Sequence, residues 1–354
     1  MPFYHVSVAK ITKGQHKGGG QGFAQYIARE AADKATQHAR YLIRESHPAK
    51  EDLVALRAVN LPAWARDGTH FFAMADRYER KDGVVARTYE VALPRELTPD
   101  QREALVEDIS QAYFRDHPHL WAIHNPLGAD NREQPHVHFM VCERRMDGIE
   151  RSPKGFFRRA NRAHPEQGGA AKERRFSERN PGTFHTLRAG IATLTNAAFE
   201  RAGLDIAVSS ESLRARGHTR APEMSVSRGS YIAHQRGQLA PAWQEVLSQR
   251  DLLQREYKPW EAAGDYLAWQ AQKTREGIHS VERDAVVAHV RAQFYEPPTR
   301  EQLRTLHELG QALEHDRAAQ ATPRARQPHK LPIFGAADES LGGARYRESY
   351  ERSY

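Results

Sequence analysis

The chain has 354 residues, 27% charged and 39% hydrophobic, and a formal net charge of +7, which allows one large domain or two ordinary ones with a sizeable core. Its isoelectric point near 9.4 favours polyanionic partners, nucleic acid first and an anionic membrane surface second. The single cysteine excludes an intrachain disulfide and a cysteine-based zinc cluster. No apolar run approaches the roughly 20 residues of a membrane span, and the opening Met1-Pro2-Phe3-Tyr4-His5 is too polar for a signal peptide, so the cytoplasm is the expected compartment.

In chain order, Phe3 to Ile11 alternates as a strand, with Phe3, His5, Ser7, Ala9 and Ile11 on one face. Lys13 to Gln21 is a glycine-rich basic loop carrying Lys13 and Lys17. It lacks the Gly-Lys-Ser/Thr ending of a nucleotide-binding loop, and reads as mobile or phosphate-contacting. Gly22 to Glu45 is rich in helix formers and contains two similar pieces, Gln25-Tyr26-Ile27-Ala28-Arg29-Glu30 and Arg40-Tyr41-Leu42-Ile43-Arg44-Glu45. Each sets an arginine three residues after a tyrosine, on the same helical face. Helical tyrosines usually pack with the hydroxyl at the rim; neighbours such as Arg44 add a phosphate-facing alternative.

Ser46 to Asn60 is expected to be a polar connection with some helical character, before the apolar anchor Leu61-Pro62-Ala63-Trp64. Thr69 is the expected cap of a helix carrying Phe71, Phe72 and Ala75. Val84 to Leu93, containing Glu90, reads as a strand closed by Pro94, and Thr98-Pro99 opens a helix running to about His117. Leu120 to Asn125 and Pro135 to Glu143 form two short strands around a polar turn. Side chains alternate along a strand, so His136 and His138 share a face, and antiparallel pairing sets His124 beside them. Three neutral imidazoles can bind a divalent cation while leaving positions open for water or a phosphate oxygen, which suits catalysis better than a structural role. A second pair, His117-Pro118-His119, has the same spacing but stands in a proline turn, without the apolar strand context.

Beyond Glu143 the chain is strongly basic: Arg144, Arg145, Arg151, Arg158, Arg159, Lys172, Arg174 and Arg175 are interleaved with Phe156, Phe157 and Phe176. This mixture suits phosphates and stacked bases of single-stranded nucleic acid; the alternative, a solvated loop tipped by Gly168 and Gly169, is compatible with it, since a disordered loop can close over a strand. Thr183 to Ala202 reads as an amphipathic helix ended by Gly203, and Ile206-Ala207-Val208 as a short strand. The pattern argues an α+β domain over 1–222, a helical accessory region over 223–320 and a disordered basic tail over 321–354. A divalent metal, a tyrosine on a basic helix and a basic surface suggest phosphodiester transesterification by Tyr41 or Tyr26, with Glu90 as base or partner of the metal site.

Phe3 to Lys10, Ala75 to Arg80, Glu90 to Thr98, Ala122-Ile123-His124-Asn125, Pro135-His136-Val137-His138, Glu143 to Arg151 and Gly168-Gly169-Ala170 together resemble a MobA/MobL-type relaxase of the HUH endonuclease superfamily. The resemblance implies a central antiparallel sheet flanked by helices, with His124, His136 and His138 holding Mg²⁺ or Mn²⁺, Zn²⁺ being possible. It implies nicking of one strand at an origin of transfer through a 5′-phosphotyrosyl intermediate and later rejoining, to start conjugative transfer or mobilisation. Implied partners are single-stranded origin DNA, accessory relaxosome proteins and a type IV secretion coupling protein. Gly19-Gly20-Gln21 leads to Tyr26, but Ala39-Arg40-Tyr41-Leu42-Ile43-Arg44-Glu45 also matches the family context at a more typical distance from Leu61-Pro62, so Tyr41 is preferred over Tyr26. Rival readings are a rolling-circle replication initiator, a tyrosine transposase, a metal-dependent hydrolase and a non-catalytic single-strand-binding module.

Overall fold

A five-stranded sheet in the order β1-β3-β5-β4-β2, with every neighbour antiparallel, organises the computed structural model. Its strands are β1 Val6–Thr12, β2 Leu53–Val59, β3 Val84–Ala92, β4 His119–His124 and β5 His136–Val141; its helices are α1 Gly68–Tyr78, α2 Pro99–Ile109, α3 Pro153–Phe156, α4 Gly182–Arg201, α5 Pro259–Glu276 and α6 Arg283–Tyr295. The structure describes residues 4–13, 20, 21, 24, 52–127, 132–176, 182–216, 233, 237, 241, 244–249 and 259–295.

Strand alternation divides the apolar side chains between two cores. Tyr89, Val91, Trp121, Ile123, Val137 and Phe139 face α2, α4 and α6, where Leu105, Ile109, Leu187, Ile191, Val290 and Phe294 cover them. Ala86, Leu120, Ala122 and Met140 face the other way, onto Phe71, Phe72 and Ala75 of α1 and Phe156 of α3. This second core covers one end of its sheet face, and the three expected metal ligands occupy the other end.

Local chemistry explains the helix limits. Asp67, not Thr69, caps α1, its carboxylate accepting the His70 N–H at 2.6 Å. Thr98 and Gln101 form a reciprocal capping box at α2 with Pro99 in the first turn, as expected. The α-helix then gives way to a π-helical turn at Ser110–Phe114 instead of continuing to His117.

Two expectations are corrected. Ser46 to Asn60 contains the edge strand β2, whose apolar residues run almost unbroken from Leu53 to Val59 except at Arg57 and so show no alternation to read. Ile206 to Val208 is not a strand: the Asn196 side chain donates to the Val208 carbonyl at 3.0 Å and accepts its N–H at 2.8 Å, doing a neighbouring strand's work. Beyond residue 222, Trp269, Val286, Val290 and Phe294 of the helices α5 and α6 enter the first core. The segment 321–354 lies outside the described residues.

The second histidine pair is a core feature, and His119 begins β4 rather than lying in a turn. His119 Nδ1 donates to the His117 carbonyl at 2.8 Å, so Nε2 accepts the Ser110 hydroxyl at 2.8 Å. His117 Nδ1 is 3.1 Å from the carbonyls of both Cys142 and Arg144. Burial pushes both imidazoles from 6.5 down to about 4. Unfolded imidazoles take up protons below 6.5 while the folded ones resist until about 4, so stability is fully present above 6.5 and is lost as pH falls through this window. The urea midpoint is expected to drop between those pH values and to drop less in His117→Gln; a flat midpoint would contradict neutral burial.

Candidate active site

The register builds the site. His124 pairs with His136 across β4 and β5, Ala122 pairs with His138, and Glu90 of β3 lies opposite His138 on the other side. The three ring centroids are 5.0 to 5.5 Å apart, and one ligand nitrogen from each residue lies within 4.8 Å of the others. Gln134 offers its carbonyl to His136 Nδ1 at 2.9 Å, which places the proton there and leaves Nε2 as the donor for a metal. Glu90 Oε2 lies 3.9 Å from His138 Nδ1, beyond hydrogen-bond range but near enough to bias that ring. His124 is fully buried, so one ligand is fixed by the core while its two companions reach the surface.

The residues fit a divalent cation. Bonds of about 2.1 Å require nitrogen separations of roughly 3.4 Å in a tetrahedral site, which modest side-chain rotation from the present spacing supplies. Three neutral imidazoles suit Mn²⁺ or Zn²⁺ better than Mg²⁺, which prefers oxygen. Two further groups border the triad. Ser7 pairs with Glu90 across β1 and β3, and the His5 carbonyl accepts the Ala92 N–H at 3.0 Å, setting His5 in the next row. Burial pushes the His5 imidazole below its ordinary range, with Glu90 pulling the other way.

Tyr26, Tyr41, Lys17 and Arg44 lie outside the described residues. Gly20, Gln21 and Ala24, just before Tyr26, are described: Ala24 is fully buried in the second core, and a Cβ on Gly20 would lie 2.7 Å from Val85 Cγ1 and 3.3 Å from Met140 Cε. Gly20 and Ala24 are therefore docked on the face that carries the triad.

The basic residues separate into two groups. Arg144 is 4% exposed, and its guanidinium is spent inside the fold: it binds Glu79 Oε2 at 3.0 Å and donates to the carbonyls of Phe157, Arg158 and Ala170 at 2.9, 2.9 and 2.6 Å. Arg151 is held by Asp147 at 2.6 Å and by the Gly168 carbonyl at 2.9 Å. Lys172 donates to the Val84 carbonyl at 2.7 Å, Arg175 to the Phe294 carbonyl at 2.7 Å, and Lys13 to the carbonyls of Arg77 and Glu79 at 2.9 and 2.7 Å. These five cations organise the loops. Arg145, Arg158, Arg159 and Arg174 are exposed, Arg145 pairing with Asp116 at 3.3 Å. The loop tip expected at Gly168 and Gly169 is instead buried, because a Cβ there would lie 2.2 Å from Asn161 N or 2.1 Å from Arg158 O.

The profile of the MobA/MobL family matches residues 24–235 of the 354. The chain belongs to the MobA/MobL family. Within reach of this family, the chain is 39% identical over 227 residues to a 43 kDa relaxation protein of Salmonella typhimurium, covering 61% of this chain and 56% of that one. It is 33% identical over 199 residues to Mobilization protein A of Escherichia coli, covering 55% of this chain and 27% of that one. The chain thus spans about half of the first relative and about a quarter of the second. A solved structure described as the molecular basis of vancomycin resistance transfer in Staphylococcus aureus superposes with a TM-score of 0.40 at 15% identity, over 59% of this chain and 99% of that one.

Sequence reading missed His5 as a neighbour of the site and Asp76 as the acceptor of the Gly20 and Gln21 N–H groups. The alternation of β1 carried the first signal. Nothing local carried the second, since Asp76 meets its partners 55 and 56 positions away.

Proposed function

We propose that this family member is a DNA relaxase, cutting one strand at an origin of transfer by tyrosine transesterification and later resealing it to initiate mobilisation. The observation that carries the reading is the triad of imidazoles beside Glu90 on the sheet face where Gly20 and Ala24, shortly before Tyr26, are packed. In the proposed step the phenol oxygen attacks phosphorus in line; the new O–P bond forms as the P–O3′ bond breaks, the phenol proton passes to Glu90 or solvent, and the leaving 3′ oxygen takes up a proton from solvent to become a hydroxyl. A divalent ion held by His124, His136 and His138 would neutralise charge on the phosphoryl oxygens. The reverse reaction by a free 3′ hydroxyl restores the strand without an external energy source.

Sequence context prefers Tyr41, whereas tethering favours Tyr26. Tyr26 follows the buried Ala24 by two residues, at most ~7 Å of chain, and Ala24 shares a cluster with Met140, itself two residues along β5 from His138. Tyr41 follows Ala24 by seventeen residues. Arg158, Arg159 and Arg174 are proposed to hold the strand through phosphates. We further propose that accessory proteins and a secretion coupling protein are partners of the chain.

Incubation with labelled single-stranded DNA spanning the element's origin, with Mn²⁺, is expected to give a protein–DNA adduct that survives denaturation and is lost in chelator. Cleavage without an adduct would favour a metal-dependent hydrolase, and binding without cleavage a non-catalytic module.

A further inference from the structure

Asp76 stands in the last turn of α1, on the side facing the start of the tyrosine-bearing segment. Its Oδ1 accepts the Gly20 N–H at 2.8 Å and its Oδ2 accepts the Gln21 N–H at 2.7 Å. Both residues have helical backbone, and N–H groups taken by a side chain rather than by the preceding turn mark the opening of a helix. A carboxylate there satisfies two donors and complements the positive end of the helix dipole. Burial raises the Asp76 carboxyl above its ordinary range, while these two N–H groups and Lys13 work against burial.

The other foot of the same loop is tied to the same place. Lys13, at the end of β1, donates to the carbonyls of Arg77 and Glu79, so the last turn of α1 holds both Lys13 and Gly20. Gly20 is pressed against Val85 and Met140, where an added Cβ has no room, and Ala24 is sealed beneath. The segment is thus fixed from one side by hydrogen bonds and from the other by contact with the sheet.

We infer that Asp76 is a positioning residue: by holding the Gly20 and Gln21 N–H groups it fixes on the sheet the point from which the chain runs on to Tyr26, and through it the rate of the tyrosine reaction. This inference rests on the proposed tyrosine chemistry. Asp76 touches no reacting atom; it acts through the backbone of Gly20 and Gln21. A displacement of about an ångström at a reacting group costs on the order of 100-fold in rate, which sets the expected scale.

The test is single-turnover adduct formation on single-stranded origin DNA with Mn²⁺, beside DNA affinity by anisotropy and thermal melting. Asp76→Ala is expected to slow adduct formation by about 10- to 100-fold while affinity stays within about twofold and the fold still melts cooperatively. Asp76→Asn, which keeps one carbonyl acceptor, should fall between. Gly20→Ala raises intrinsic helix propensity yet should slow the reaction comparably, because its Cβ meets Val85; Gly20→Ala with Val85→Ala should recover most of the loss. A wild-type rate in Asp76→Ala, or parallel losses of rate, affinity and melting temperature, would overturn the positioning role alone. No adduct in the wild type would overturn the tyrosine chemistry and this role with it.

Discussion

Replacement of His138 by alanine should lower adduct formation at least ~1000-fold and leave affinity for single-stranded DNA within a few-fold. A metal held by the triad is asked to stabilise charge developing on a phosphoryl group, a contribution of several kcal/mol, and each ~1.4 kcal/mol is tenfold in rate. Binding should survive because the exposed cations Arg158, Arg159 and Arg174 lie on other elements, after β5. His138 and His136 are better targets than His124, which is fully buried and whose removal would also open a cavity. Rates, anisotropy and melting measured together separate the effects: a His138→Ala protein that still forms the adduct at the wild-type rate would remove the metal from the chemistry.

Arg144→Leu should cost stability rather than DNA affinity. Glu79 and Arg144 are each 4% exposed, and the guanidinium also satisfies three loop carbonyls. Removing one partner of a buried pair leaves the other charge uncompensated, a loss of about 3–5 kcal/mol. Lys172, 3.4 Å from Glu79, offsets part of it, so the lower half of that range is expected. Arg144→Lys should not restore the loss, since an ammonium lacks the planar fork that serves four partners here. Urea denaturation measures the cost. A stable Arg144→Leu protein that binds DNA more weakly, with a reduced salt slope, would make Arg144 a strand-binding residue after all.

The sequence showed most clearly what is periodic and local. The His-x-His alternation, the antiparallel return to His124 and the Thr98-Pro99 helix start are short-range patterns, and the structure places them as expected. What escaped reading depends on distant partners. β2 is an exposed edge with little apolar alternation; Asn196 substitutes for a strand at Val208; Arg144 looks like a nucleic-acid cation until Glu79, 65 positions away, is set against it. Composition alone cannot separate a cation that meets solvent from one that closes a loop. The same holds for Trp269 and Phe294, whose polar helices hid a face that belongs to the main core.

The most direct test of the central claim is to digest the adduct formed on single-stranded origin DNA and identify the nucleotide-bearing peptide by mass spectrometry, with Tyr26→Phe and Tyr41→Phe run in parallel. A phosphodiester on Tyr26, with adduct lost in Tyr26→Phe and kept in Tyr41→Phe, is the predicted result. Linkage at Tyr41 would keep the transesterification and contradict the tether argument; metal-dependent cleavage with no nucleotide on any tyrosine would contradict the transesterification itself.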